Sequence, residues 1–273
     1  MSFANDRSQT FRVLHESGCF VMPNPWDVGT ARVLAQIGFP AIATTSSGLA
    51  WSLGRRDNGV SVEETLRHLR TIAQSVDVPV NADFENGFAI MPADVASNVA
   101  AAVTTGVAGL SIEDSTGDES NPLFEFTLAV DRIRAARRAI DDSGTGVLLT
   151  GRSEGFIVGR PDLAETIRRL TAYADAGADC LYAPGIREKS DISALVRAVA
   201  PKPVNVLVGS DFTTVAELAA LGVRRISVGG ALARAAWGSF LYAAQEIAEY
   251  GTFGRLTSAV PFPVLNRRFD PSA

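Results

Sequence analysis

The feature that most constrains this chain is an eightfold alternation of short β-rich runs with stretches whose apolar residues recur at helical spacing. The runs fall at residues 19–22, 41–45, 78–84, 109–113, 147–152, 180–183, 204–208 and 226–228. Helices are predicted at 27–37, 61–75, 92–105, 126–140, 161–176, 191–200, 213–221 and 231–250, with a short leading helix at 10–17. Local chemistry supports the boundaries: Asp27 is an N-cap, Gly38 ends the helix it opens, and Ser61 with Glu64 is a capping box. Repeated strand–helix units specify a parallel sheet, and eight of them close most economically into an α/β fold of the (β/α)8 TIM barrel type. The alternative, a doubly wound open sheet, announces itself by a glycine-rich turn after its first strand, and Pro23–Asn24–Pro25–Trp26 is not one. Residues 46–59 read as a long polar loop, and the stretch from about 251, with its three prolines, as an irregular arm. No linker interrupts the pattern, so residues 1–273 are read as a single domain.

Composition removes several function classes. A net charge of −5 and the lack of any long basic run argue against a nucleic-acid partner. No stretch is long and apolar enough to span a bilayer or act as a signal peptide, so no membrane partner is expected. Cys19 and Cys180 form no spaced pair, which fits a reduced compartment; the expectation is a cytoplasmic protein. The only lysines are Lys189 and Lys202, and neither falls on a predicted strand, which disfavours a Schiff-base mechanism.

In such a barrel, chemistry gathers where the strands end. Two of the runs stop abruptly in acids: 79–89 carries Asp83 and Glu85, and 109–117 carries Glu113 and Asp114. Strand alternation places Asp83 and Glu85 on the same side. Other polar residues expected at this mouth are Asn24, Trp26 and Asp27, then Ser46, Ser47 and Gly48, then Arg152 and Glu154, and finally Asn205 and Ser227. Two arrangements satisfy so many acids around one arginine. A hard divalent cation sits among them, magnesium rather than zinc because the donors are oxygens, or they form ion pairs and loop-capping bonds around Arg152. The residues alone leave both open. His15 and His68 read as surface or half-buried helix residues, the arginines Arg132, Arg134, Arg137 and Arg138 as a solvated helix face, and Asp57 as a solvated loop residue.

Taken in order, these positions resemble the isocitrate lyase and phosphoenolpyruvate mutase superfamily. The likeness is carried by Ser47–Gly48–Leu49, Leu53-Gly-x-x-Asp57, Pro79–Val80 leading to Asp83-x-Glu85-x-Gly87, Ile112–Glu113–Asp114, and Arg152-x-Glu154. The resemblance implies a magnesium-dependent barrel (manganese also serves such a site) acting on a small α-oxo-acid. Asp83 would bind the metal, and Glu85 and Glu113 would hold its waters. The Ser47–Gly48 turn with Ser46 would take the substrate carboxylate, with Trp26, Glu154 and Asn205 as further binding candidates. Arg152 would clamp the substrate, Asp57 and Asn121 are catalytic candidates, and the loop at 115–124 would close over the site. It further implies a homodimer or homotetramer with the helix at 231–250 exchanged between subunits.

Departures from the family pattern narrow the activity. Residues 115–124 contain no lysine, cysteine or histidine, unlike the loops of the isocitrate lyases and the mutase, and Ala183–Pro184 replaces a histidine of the phosphonate enzymes. Glu85 stands where an aspartate is usual. The expected activity is therefore a lyase or hydrolase that breaks a C–C bond of an oxaloacetate-like acid through a metal-stabilised enolate. C–P chemistry of the phosphonopyruvate hydrolase or phosphoenolpyruvate mutase type is the alternative, and a catalytically silent oxo-acid-binding barrel is the third reading.

Overall fold

A computed structural model describes residues 3–270. After α1 (Phe3–Glu16), the chain runs β1 (Phe20–Met22), α2 (Val28–Ile37), β2 (Ile42–Ala43), α3 (Ser46–Ser52), α4 (Val62–Ser75), β3 (Val80–Asp83) and α5 (Pro92–Val103). It continues through β4 (Gly109–Glu113), α6 (Phe126–Ser143), β5 (Leu148–Arg152), α7 (Leu163–Asp175), β6 (Cys180–Tyr182) and α8 (Lys189–Ala198). The last elements are β7 (Val204–Leu207), α9 (Val215–Ala220), β8 (Arg225–Ser227), α10 (Ala231–Tyr250), a 3-10 turn at Gly254–Ser258 and α11 (Phe262–Arg268). All eight strands are parallel, β2 to β8 pair in sequence order, and β1 pairs with β8. Ala43 N donates to Pro23 O at 3.0 Å across the remaining seam, so the sheet closes into the expected (β/α)8 barrel.

Period-two alternation builds both the core and the site. Val80 and Ala82, Leu110 and Ile112, Leu149, Leu181, Val204 with Val206, and Ile226 all belong to the buried core shared with Leu69, Ile72, Val99, Ile133 and Leu170 of the helices. Their strand neighbours Asn81, Asp83, Ser111, Arg152, Tyr182, Asn205, Arg225 and Ser227 line a cavity inside the barrel mouth instead. Barrel interiors are usually filled by branched apolar residues. A polar interior of this kind is costly unless it is hydrogen-bonded or serves a ligand.

Some expectations need correction. Residues 46–52 are not loop but helix α3, whose N-cap Thr45 accepts from Gly48 N at 3.4 Å; at seven residues the helix is too short to show a periodic pattern. The arm after 251 is not irregular throughout, since it holds the 3-10 turn and α11, which Pro261 and Pro263 help to start. Arg132 is not solvated: it is fully buried and donates to Ile90 O at 2.8 Å and also to Asn86 O and Ala89 O. Those three carbonyls belong to the turn after β3, which Arg132 thereby pins. His15 is buried rather than half-buried. No described helix is long and apolar enough to cross a membrane.

Candidate active site

Arg152, the last residue of β5, is the hub of the barrel mouth. Register sets it beside Glu113 of β4 and Tyr182 of β6. Its Nη1 lies 3.1 Å from Asp83 Oδ1 and 3.1 Å from Glu113 Oε2, while Nε and Nη2 grip Glu154, the latter at 3.1 Å. Both readings of the acids thus meet at one place, since three carboxylates share a single guanidinium. A buried charge cluster of this kind is stable only while every member is paired.

The acids outnumber the arginine, and burial with mutual repulsion shifts several of them upward. Burial pushes Glu113 well above the usual carboxylate range, opposed by Arg152 and reinforced by Glu154, Asp83 and Glu85. Glu154 is raised by burial too, against the pull of Arg152. Glu85 rises to about 8, first through burial and then through the charges of Asp83 and Asp57. Asp57 is raised by desolvation and by Asp83. These mutual effects place Asp57, Asp83, Glu85 and Glu113 within one electrostatic neighbourhood.

The route by which Glu85 arrives there differs from the sequence expectation. β3 ends at Asp83, and Glu85 adopts a left-handed φ of 46°, so strand alternation does not orient it. Phe88 is also left-handed, at φ 56°. Such backbone costs of order 1–3 kcal/mol per residue and persists where surroundings impose it. Here Arg132 binds the turn carbonyls, Asn98 Nδ2 donates to Gly87 O at 2.8 Å, and Glu113 N donates to Glu85 O at 3.0 Å.

Asp83 is fixed from the other side: its Oδ2 accepts from Ser46 N at 2.9 Å, at the start of α3, and its own N–H donates to Thr44 Oγ1 at 2.9 Å. Ser47 Oγ lies 3.1 Å from Thr45 Oγ1. Gly48 is required by close packing, since a Cβ there would stand 2.6 Å from Thr45 Cγ2 and 2.9 Å from Trp26 Cβ. Behind the hub, buried Asp114 accepts from Glu154 N at 2.7 Å, Tyr173 Oη at 2.7 Å and Arg169 Nη1 at 3.1 Å, which fixes the Glu154 backbone.

The cavity has a volume of about 150 Å³. That is well below the roughly 300–1,000 Å³ of pockets for drug-sized ligands, so the ligand is small. Of the residues expected at the mouth, Asn24, Ser46, Ser47, Asp83, Arg152, Asn205 and Ser227 line it, and so does Asp57, read from the residues alone as a solvated loop residue. Glu113 and Glu154 reach it through Arg152, and Glu85 through its charge. Trp26 and Asn121 are not brought in: Trp26 faces a groove with Trp237 and Phe240, and Asn121 a separate pocket beside Arg160 and Arg169. Sequence reasoning missed Thr44, Asn81, Ser111, Tyr182 and Arg225 as lining residues. The inward positions of the strands would have found most of them.

Among the described residues, no three histidine, cysteine, aspartate or glutamate side chains converge as a ready metal cage. A structural zinc site needs such a cage, whereas magnesium keeps several waters and is held through one or two carboxylates plus substrate oxygens. An all-oxygen, net-acidic cluster with Asp83 and Asp57 at the cavity wall fits the second kind of ion.

Comparison with known proteins agrees with this geometry. A structure of a lyase or mutase from Burkholderia cenocepacia is 47% identical, covers 99% of both chains and superposes with a TM-score of 0.96. The oxaloacetate decarboxylase of Bradyrhizobium diazoefficiens is 26% identical over 205 residues, which is 72% of this chain and 69% of its own. A phosphonopyruvate hydrolase structure with oxalate and magnesium is 26% identical, covers 96% of this chain and 94% of its own, and has a TM-score of 0.84. The phosphoenolpyruvate phosphomutase family matches residues 11–248, from within α1 to within α10, and this chain belongs to that family.

Proposed function

We propose that the protein is a magnesium-dependent lyase or hydrolase that cleaves a C–C bond of a small, oxaloacetate-like α-oxo-acid. The observation that carries this reading is Arg152, held among Asp83, Glu113 and Glu154 on the wall of a cavity of about 150 Å³. Among the described residues no histidine, lysine or cysteine lines that cavity, so electrostatic stabilisation by Arg152 fits it better than a Schiff-base or thiolate mechanism.

Asp83 would hold the ion, with Glu85 and Glu113 on its waters; when bound, magnesium or manganese supplies Lewis-acid polarisation of the substrate oxo group. Arg152 stabilises the negative charge that grows on the oxo oxygen as the C–C bond breaks, in a cavity where low dielectric strengthens that attraction. Its ion pairs hold it in place beforehand, so no reorganisation is needed during reaction. The Ser46–Gly48 turn that opens α3 receives the substrate carboxylate through Ser46 and Ser47, which line the cavity, with Gly48 allowing the close packing behind them. Asp57, raised toward its neutral form, faces the same cavity and is positioned to exchange a proton with substrate. Residues 115–124, tied by the Ser115–Leu123 bridge, close over the site, and that movement would bring Asn121 to the substrate.

The likeness to phosphonopyruvate hydrolase supports a second reading, C–P cleavage in the same cavity. Phosphorus NMR with phosphonopyruvate separates the two: phosphate release selects C–P chemistry, and turnover of oxaloacetate without it selects C–C chemistry. Assembly as a homodimer or homotetramer is part of the proposal. α10 buries only Ala233 among its residues and exposes Trp237, Phe240, Leu241 and Tyr242, an apolar face suited to a second copy. Sedimentation showing only monomer would remove that part.

A further inference from the structure

Arg225 is 1% exposed, one of the most deeply buried side chains in the protein, yet it lines the cavity. Buried arginines are usually paired with an acid or, like Arg132, with several backbone carbonyls, because an isolated charge in the interior is costly. Arg225 is not: among the described residues no aspartate or glutamate forms an ion pair with it. Its Nε donates to Asn205 Oδ1 at 2.9 Å and its Nη2 to Thr150 Oγ1 at 3.1 Å. Its Nη1 lies 3.3 Å from His15 Nε2. His15 Nδ1 donates to Phe11 O at 2.7 Å, so Nε2 carries the lone pair and accepts from Arg225. Burial and then Arg225 itself hold His15 down to about 3, which keeps the ring neutral. All three partners are therefore neutral acceptors.

They use one N–H on each guanidinium nitrogen. A guanidinium has five N–H groups, so one remains on each terminal nitrogen, enough for a carboxylate or phosphonate to accept from both. Asn205, whose Nδ2 donates to Ser227 Oγ at 2.9 Å, holds the fork in place. We propose that Arg225 is a substrate-binding residue that takes a second anionic group, so that this cavity selects dianionic over monoanionic oxo-acids. This rests on the oxo-acid reading above, in which the Ser46–Gly48 turn takes the first carboxylate and Arg152 faces the oxo oxygen.

The test is calorimetry in magnesium with pyruvate and oxomalonate, which differ by a carboxylate in place of a methyl. Wild-type protein is expected to bind oxomalonate at least about tenfold more tightly, the value of one charge-assisted contact. Asn205→Asp puts a near-isosteric carboxylate beside the Arg225 fork and should cut that preference to threefold or less. Phosphonopyruvate against oxomalonate then tells which anionic group the fork prefers. Equal binding of the two acids by wild type, a comparison that needs no variant, overturns the inference alone. An undiminished preference in Asn205→Asp also overturns it. Wild-type protein that binds neither acid overturns the oxo-acid reading and this inference with it.

Discussion

The two sides of the cavity hold the same type of residue in opposite settings. On the β3–β5 side, Arg152 is surrounded by Asp83, Glu113 and Glu154. On the β7–β8 side, Arg225 meets only Asn205, Thr150 and His15. One wall has excess negative charge around its arginine; the other has a positive charge with nothing to balance it. A cation and an anion, brought together, would satisfy both walls. The comparison teaches that a guanidinium is defined by its partners: Arg152 is a paired hub, and Arg225 an open anchor.

The largest expected break in this comparison is at Asp83, the cavity acid that touches Arg152. Asp83→Ala should lower kcat/KM for an oxo-acid by at least about a thousandfold, the scale of losing a main electrostatic contact. Steady-state kinetics checks it, and activity within tenfold of wild type would remove Asp83 from the mechanism. Stability is next. Arg152→Met leaves Glu113 and Glu154 buried without a counter-charge and should cost about 3–5 kcal/mol in denaturant unfolding. Arg225→Met strands only neutral acceptors and also removes an unpaired buried charge, so its cost should be smaller, about 1–3 kcal/mol. Equal losses would erase the distinction between the two walls.

A smaller, pH-dependent effect belongs to the β8 side. His15 titrates near 3 when folded and near 6.5 when unfolded, so only the unfolded chain takes up its proton between those values. Stability from this residue is full above about 6.5 and falls as pH drops toward 3, by about 2 kcal/mol at pH 5. His15→Gln should flatten that part of the profile of unfolding free energy against pH. An unchanged slope between pH 7.5 and pH 5 would show that the ring is not held neutral beside Arg225.

The barrel was legible because its periodicity repeats eight times, and errors at single boundaries do not hide it. The acids of the β3–β5 side were legible for a related reason: Asp83 and Glu113 end apolar runs abruptly. The β8 side was not. Strand eight was expected to begin at Ile226, which left Arg225 outside it. The observed strand starts at Arg225, and Arg225–Ile226–Ser227 alternates cavity, core, cavity. Arg132 was misread because four arginines on one helix suggest a wet face, while its burial depends on the carbonyls of a turn some forty residues away. α3 escaped because seven residues with a Ser–Ser–Gly start carry no helical period. Glu85 reached the acid cluster through a left-handed turn that residue spacing does not encode.

Removing the metal tests the account most directly. Turnover of a panel of small α-oxo-acids should be measured with magnesium, after chelation, and after magnesium is returned. The account predicts turnover with the ion, loss of at least about a hundredfold with chelator, and recovery on return. Turnover that chelator leaves unchanged would contradict it and leave Asp83, Glu85 and Glu113 as counter-ions of Arg152 alone.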